Sequence, residues 1–244
     1  MRASLTSRDR IADAGGGMGH EIRKMFARVA GRYDCLNHLL SLGRDRAWRR
    51  RAVGALAPLP PRARVLDVCA GTLDFALTAR KAQPDVRLVG ADFCLPMLAQ
   101  GRKKRGAQAI RTACADALRL PFRKDSFEAA VCGFGIRNLD ALQRGVEEIF
   151  RVLRPGGKAA VLEFFRPERG ATKAFHRTYG RTVIPLVGGL VSGDWRAYRY
   201  LPSSANGFCT VAAFEQTMRE AGFQNVWSEP QTLGVATLVV GEKP

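Results

Sequence analysis

Five short runs of strand-forming residues, each separated from the next by a loop or a helical segment, constrain this chain more than any other feature of its sequence. They cover residues 64–70, 87–93, 109–115, 127–133 and 158–165. Runs this apolar need cover on both faces, and helices placed between successive strands supply it. The expected fold is therefore α/β, a doubly wound and mostly parallel sheet. The first unit is the sharpest: Arg64-Val65-Leu66-Asp67-Val68-Cys69-Ala70 reads as a strand, Gly71 as a turn, and residues 74–82 as a helix closed by Pro84. Between the fourth and fifth runs, Leu139, Leu142, Val146, Ile149, Phe150 and Leu153 form a helix stripe, and Pro155-Gly156-Gly157 reads as its stop.

Helical spacing also opens the chain, where Ile22, Met25, Phe26, Val29 and Ala30 share one face and a second short helix is expected over residues 36–42. At the other end a helix at 210–221 precedes strands near 225–228 and 236–241, an antiparallel pair that brings the sheet to seven. Residues 1–20, with Gly15-Gly16-Gly17, read as a flexible lead, and 21–244 as one domain. From Pro167 to about Phe208 the alternation breaks into a long insertion, expected to act as a lid.

Composition excludes several classes. With 46% hydrophobic and 25% charged residues in a chain of 244, a sizeable core forms. No run approaches the roughly 18 uninterrupted apolar residues of a membrane span, and the start lacks a secretory segment, so the expected location is cytoplasmic. The six cysteines contain no C-x-x-C pair and the three histidines lie far apart, so no metal site is expected. The formal net charge of +17 is concentrated in residues 44–51 and 102–105. It points to an anionic partner surface, lipid headgroups or nucleic acid, or else to a solvated arginine-rich exterior.

Chemistry concentrates where strands end. Asp67-x-x-x-Gly71-Thr72 closes the first strand and Asp92 the second. A glycine lets the backbone turn tightly against a nucleoside, and an acid about 20 residues on accepts hydrogen bonds from ribose hydroxyls. Only Gly71 is present where a dinucleotide fold shows G-x-G-x-x-G, and no pyrophosphate cradle follows. Asp67, ahead of the turn, suits the cationic amino group of a methionine tail, which favours S-adenosylmethionine over NAD. Asp116-Ala117 ends the third strand on the same edge, where the carboxylate suits the adenine amino group.

A resemblance sharpens this reading. The string Met25-Phe26-Ala27-Arg28-Val29-Ala30-Gly31-Arg32-Tyr33-Asp34, then Leu36-Asn37, Leu40-Ser41-Leu42-Gly43 and Trp48-Arg49, resembles the N-terminal signature of the menaquinone/ubiquinone biosynthesis C-methyltransferases. So do Phe134-Gly135-Ile136-Arg137-Asn138, Arg154-Pro155-Gly156-Gly157 running into Leu162-Glu163-Phe164, and Tyr198-Arg199-Tyr200-Leu201-Pro202-Ser203-Ser204. The matches run from about residue 24 to the end. The resemblance implies a class I, Rossmann-like methyltransferase with S-adenosylmethionine held by Thr72, Asp92, Asp116 and Ala117. Two positions depart from the family pattern: Leu73 stands where glycine is usual after the threonine, and Gly133 where serine is common. Leu73 is expected to add bulk beside the methionine tail, weakening cofactor affinity or abolishing activity.

The implied reaction moves a methyl group to a carbon of an electron-rich hydroquinone. That carbon attacks once a ring hydroxyl is ionised, so the expected catalytic residues are Arg137, to stabilise the phenolate, and Asn138, to orient a ring oxygen. Tyr33, Asp34, Asp194 and Tyr198 are candidates for proton handling or for structural hydrogen bonding. The implied acceptor is a polyprenyl quinol, menaquinol or ubiquinol precursor, its tail admitted along residues 183–191. Reversible contact with an anionic membrane at its inner face fits the charge. No nucleic-acid partner is expected, because the basic clusters lack interleaved aromatics; a homo-oligomer is compatible with the sequence. Two other readings stay open, a methyltransferase acting on RNA and a non-catalytic relic of the fold.

Overall fold

The computed structural model describes residues 17–168, 170 and 203–244. Its sheet has seven strands in the order β3-β2-β1-β4-β5-β7-β6. The strands are β1 (Arg64–Val68), β2 (Arg87–Asp92), β3 (Arg111–Cys114), β4 (Phe127–Gly133), β5 (Leu153–Glu163), β6 (Gln224–Gln231) and β7 (Ala236–Glu242). Strands β1 to β5 are parallel, and β7 runs antiparallel to both β5 and β6. This is the doubly wound sheet expected, terminal pair included. The order reverses beside β1, so the carboxyl ends of β1 and β4 diverge there and open a crevice.

Three helices precede the sheet: α1 (Gly17–Val29), α2 (Tyr33–Leu40) and α3 (Arg44–Ala55). The others described below are α4 (Asp74–Ala82), α5 (Leu95–Arg102), α6 (Leu142–Val152) and α7 (Val211–Glu220), the last capped by Thr210, whose side chain accepts from the Ala213 N–H. Successive strand residues turn to opposite faces and build two cores. Val65, Ala129, Val131 and Leu238 meet α3 and α4 through Trp48, Ala52 and Ala76. Leu66, Val68, Ala130 and Val239 meet α6 and α7 through Val146, Ile149, Phe214 and Met218.

One local reading is corrected. The segment Pro155-Gly156-Gly157, read as the stop of the helix, lies inside β5: α6 stops at Val152 and β5 begins at Leu153, opposite Phe127. Gly156 and Gly157 instead exchange backbone hydrogen bonds with Lys243 at 2.8 Å. Residues 44–51, read as a solvated or partner-binding basic cluster, lie in a helix that buries Trp48 and Arg49 and leaves Arg44, Arg46, Arg50 and Arg51 exposed. Asp45 is buried with them and accepts from Arg49, from the Ser41 hydroxyl at 2.7 Å and opposite His38 Nδ1 at 2.7 Å. Burial works against ionising Asp45, but the Ser41 hydroxyl and Arg49 guanidinium hold its carboxyl below the ordinary range. The insertion expected to be a lid lies mostly outside the described residues, as do Asp194, Tyr198 and the tail entrance at 183–191.

Leu73 is corrected as well. Its backbone is left-handed, φ 67°, and its side chain is fully buried in the core between β2 and α5 rather than on the sheet edge. Gly90 makes the room, since a Cβ there would fall 2.5 Å from Leu73 Cδ2; at Gly101 a Cβ would fall 2.7 Å from the Thr72 carbonyl carbon and 2.8 Å from Leu73 Cγ, so that glycine serves the turn itself as well as the leucine. Gly133 has the same explanation, since a Cβ there would lie 2.3 Å from the Phe75 ring. Both residues are thus matched by packing within this chain. Leu73→Gly is expected to cost about 2 kcal/mol net, the cavity term outweighing relief of the left-handed backbone. Denaturant titration checks it; unchanged stability would mean that the notch collapses around the smaller residue.

Candidate active site

The carboxyl ends of β1, β2 and β3 bring the cofactor residues expected from sequence to one edge. Gly71 turns the chain at φ 50°, a conformation costly for residues with a Cβ, and its N–H donates to Asp92 Oδ2 at 2.7 Å. The Cys94 N–H donates to Asp92 Oδ1 at 2.7 Å. The Asp92 carboxylate, 7% exposed, thus rests on two backbone donors and keeps lone pairs toward the crevice. Burial pushes its carboxyl up to about 6, although both N–H groups pull the other way.

Asp67 faces the same region from inside β1. It is 1% exposed, and the Ala76 N–H donates to its Oδ2 at 3.0 Å across the first turn of α4. Burial pushes the Asp67 carboxyl up to about 8, with the Asp92 charge adding to the rise. Asp116 is exposed just past β3, accepting from the Leu118 N–H at 2.8 Å, and Ala117 beside it is buried. Thr72 is buried too, and its hydroxyl donates to Asp34 Oδ1 at 2.5 Å. Asp34 pairs in turn with Lys104 at 2.6 Å, and Lys104 with Asp74 at 2.5 Å. The N-terminal signature is thereby tied to the cofactor turn, a link that sequence reading missed because no local pattern joins Asp34 to Thr72.

The fourth strand end supplies the remaining pair. Arg137 and Asn138 lie in the short 3-10 turn Ile136–Asn138 after β4. The Arg137 side chain is 1% exposed and that of Glu163 0%, with Nη1 to Oε1 at 2.5 Å. Arg137 also donates to the Phe134 carbonyl at 2.8 Å and, through Nε, to the Ser204 hydroxyl at 3.2 Å, with Phe164 beneath it. Burial pushes Glu163 up, while the Arg137 guanidinium and the Phe164 N–H oppose it. Arg137 is therefore a clamped cation with its charge largely compensated by Glu163. Tyr33 is partly buried in the same field: burial raises its phenol, and the Asn37 side chain, Arg137 and Arg49 work in the other direction.

A nucleoside carrying a cationic amino acid suits these donors and acceptors. Among the described residues the buried Asp67 carboxyl accepts one hydrogen bond and has no ion pair, and an ammonium would supply one. Asp92 has hydroxyl-accepting capacity left, and Asp116 presents an acceptor at the exposed edge. The ubiE/COQ5 methyltransferase family model matches residues 17–243. This chain belongs to the ubiE/COQ5 methyltransferase family. It is accordingly an S-adenosylmethionine-dependent methyltransferase.

It is 45% identical over 222 residues to a demethylmenaquinone methyltransferase of Thermus thermophilus, covering 90% of this chain and 100% of that protein. A demethylmenaquinone methyltransferase of Deinococcus radiodurans is 44% identical, with 92% and 93% covered. A ubiquinone/menaquinone biosynthesis C-methyltransferase of Geobacter sulfurreducens is 42% identical, with 92% and 89% covered. Among solved structures, a Thermotoga maritima S-adenosylmethionine-dependent methyltransferase superposes with a TM-score of 0.67 at 19% identity, over 91% of this chain and 99% of that one. The [4+2]-cyclase SpnF gives 0.67 at 19%, over 94% and 98%. These likenesses describe the fold alone.

The raised Asp67 carboxyl has a measurable consequence. Between about pH 4, where the unfolded acid releases its proton, and about pH 8, the folded chain retains it. That stability is present at low pH and is lost as pH rises through 8. From pH 6 to pH 8 the cofactor-free enzyme should lose about 2 kcal/mol, and Asp67→Asn should flatten the slope. Thermal melts across this range decide it; an unchanged slope in Asp67→Asn would assign the titration elsewhere.

Proposed function

We propose that this methyltransferase alkylates a ring carbon of a polyprenylated quinol precursor, converting demethylmenaquinol to menaquinol. The observation that carries the reading is the likeness to the Thermus thermophilus protein over that protein's entire length. When bound, S-adenosylmethionine supplies an electrophilic methyl on sulfur. Asp92 would hold the ribose hydroxyls, Asp67 the ammonium and Asp116 the adenine amino group, with Gly71, Thr72 and Ala117 shaping the turns between them.

Arg137 and Asn138 are the proposed catalytic residues. Glu163, the Phe134 carbonyl and the Ser204 hydroxyl fix Nη1 and Nε of Arg137, and its remaining edge is the one proposed to meet a phenolate oxygen. Glu163 holds the fork in place and lowers the cost of keeping a cation in a dry site. Asn138 orients the ring, and Tyr33, near both arginines, suits a hydrogen bond to a second ring oxygen. Positioning and electrostatics supply the catalysis, in a site where water is largely excluded.

No helix among the described residues is long and apolar enough to cross a membrane. A cytoplasmic enzyme touching the inner membrane face through its basic surface accounts for access to a lipid-soluble acceptor. The test is transfer of labelled methyl by purified protein to demethylated menaquinol and ubiquinol precursors bearing prenyl tails. Incorporation into the naphthoquinol is expected. Label appearing in RNA, or in neither quinol, would overturn the reading.

A further inference from the structure

A cavity of about 620 Å³ lies between α2, α3 and α4, on the outer side of α4. Five cations line it: Arg46, Arg49, Arg50, Lys81 and Lys104. Its two carboxylates are already committed, Asp34 to Lys104 and Asp74 to Lys104 and Arg49. The arginines of α3 divide by partner. Arg49 is spent on Asp45 and Arg51 on Glu229, whereas Arg46 and Arg50 have no ion-pair partner among the described residues. These two stand one helical turn apart on one face, an arrangement in which like charges repel. Lys81, across the cavity on α4, is likewise exposed without an ion-pair partner among the described residues. Three unmatched cations converging on a space of this size need an anion.

We propose that this cleft binds a phosphate group, of a lipid headgroup or of a soluble phosphate ester. Two guanidinium forks and an ammonium match the oxygens of a phosphate, and the volume admits a glycerol or larger substituent beside it. Leu39 in the last turn of α2, beside cavity-lining His38, is 47% exposed, and Leu42 in the turn leading to α3 is 80% exposed. Exposed leucines beside a phosphate site suit a headgroup whose acyl chains continue into a bilayer. Asp34, Asp74 and Lys104 in its wall belong to the network behind Thr72, so the cleft adjoins the cofactor turn, while Arg46, Arg50 and Lys81 take no part in that network among the described residues.

The experiment compares the triple variant R46Q/R50Q/K81Q with R87Q/R111Q/R123Q, which removes the same charge from exposed positions elsewhere. Both are assayed for sedimentation with phosphatidylglycerol-containing and pure phosphatidylcholine vesicles, and for glycerol 3-phosphate binding by calorimetry. The cleft variant should bind anionic vesicles, or glycerol 3-phosphate, about tenfold more weakly than wild type, while the control changes less than about threefold. Loss confined to vesicles assigns the phosphate to lipid, and loss of glycerol 3-phosphate binding assigns it to a soluble ester. Methyl transfer to detergent-dissolved quinol should stay at the wild-type rate in the cleft variant. Equal weakening in both triples would reduce the effect to diffuse charge and overturn the site, as would wild-type protein binding neither probe.

Discussion

Arg137→Ala should slow methyl transfer by about two orders of magnitude, the range seen when one donor to a developing oxyanion is removed. The same change strands Glu163, whose side chain is 0% exposed, without its counter-cation, so a stability loss of about 3–5 kcal/mol is expected alongside. Single-turnover rates at saturating S-adenosylmethionine separate the two effects, because binding and product release no longer mask the chemical step. Arg137→Lys keeps the charge and should fold, yet recover only part of the rate, since a compact ammonium cannot satisfy Glu163, the Phe134 carbonyl and a substrate oxygen together. A near-normal single-turnover rate in folded Arg137→Lys and Arg137→Ala would make the arginine a structural clamp only. Cofactor affinity should barely move in either variant.

If Asp92 holds the ribose as proposed, Asp92→Ala should weaken S-adenosylmethionine binding about a hundredfold, since charge-assisted hydrogen bonds would be lost in a buried place. The substitution also frees the Gly71 and Cys94 N–H groups, which Asp92 now holds at 2.7 Å each. Asp92→Asn retains a carbonyl acceptor for one of them and guards against a simple collapse of the turn. It should fold as wild type does and still bind cofactor at least about tenfold more weakly. Calorimetric titration decides; unchanged affinity in Asp92→Asn would remove the carboxylate charge from the binding account.

What could be read from sequence was local. Asp67, Gly71 and the helix at 74–82 follow one another within a single strand-turn-helix unit, so spacing alone placed them. Asp92 and Asp116 followed because each ends or closely follows a neighbouring parallel strand, and parallel strands bring their carboxyl ends together. The Arg137 to Glu163 pair spans 26 residues and the Thr72 to Asp34 bond 38. Neither contact has a periodicity that announces it. Leu73 misled for a related reason: its residue type was visible, but the direction of its side chain depends on a left-handed backbone and on two glycines from other elements. In α3 the basic run hid the helix, because its polar residues outnumber the apolar ones and one arginine is buried through a partner rather than through its own hydrophobicity.

The seat of Leu73 against Gly90 fixes an order on change at these two sites. Gly90→Ala, ordinarily favourable inside a strand, should be harmful here while leucine is present, because the new methyl would lie 2.5 Å from Leu73 Cδ2. Once Leu73 is glycine, the same alanine fills vacated space and its effect should reverse sign. A chain carrying this leucine therefore has no room for a side chain at residue 90, while Gly101 is held by the Thr72 backbone whatever residue 73 is. A designer who grafts this turn onto another scaffold must carry Gly101 with the turn and Gly90 with the leucine.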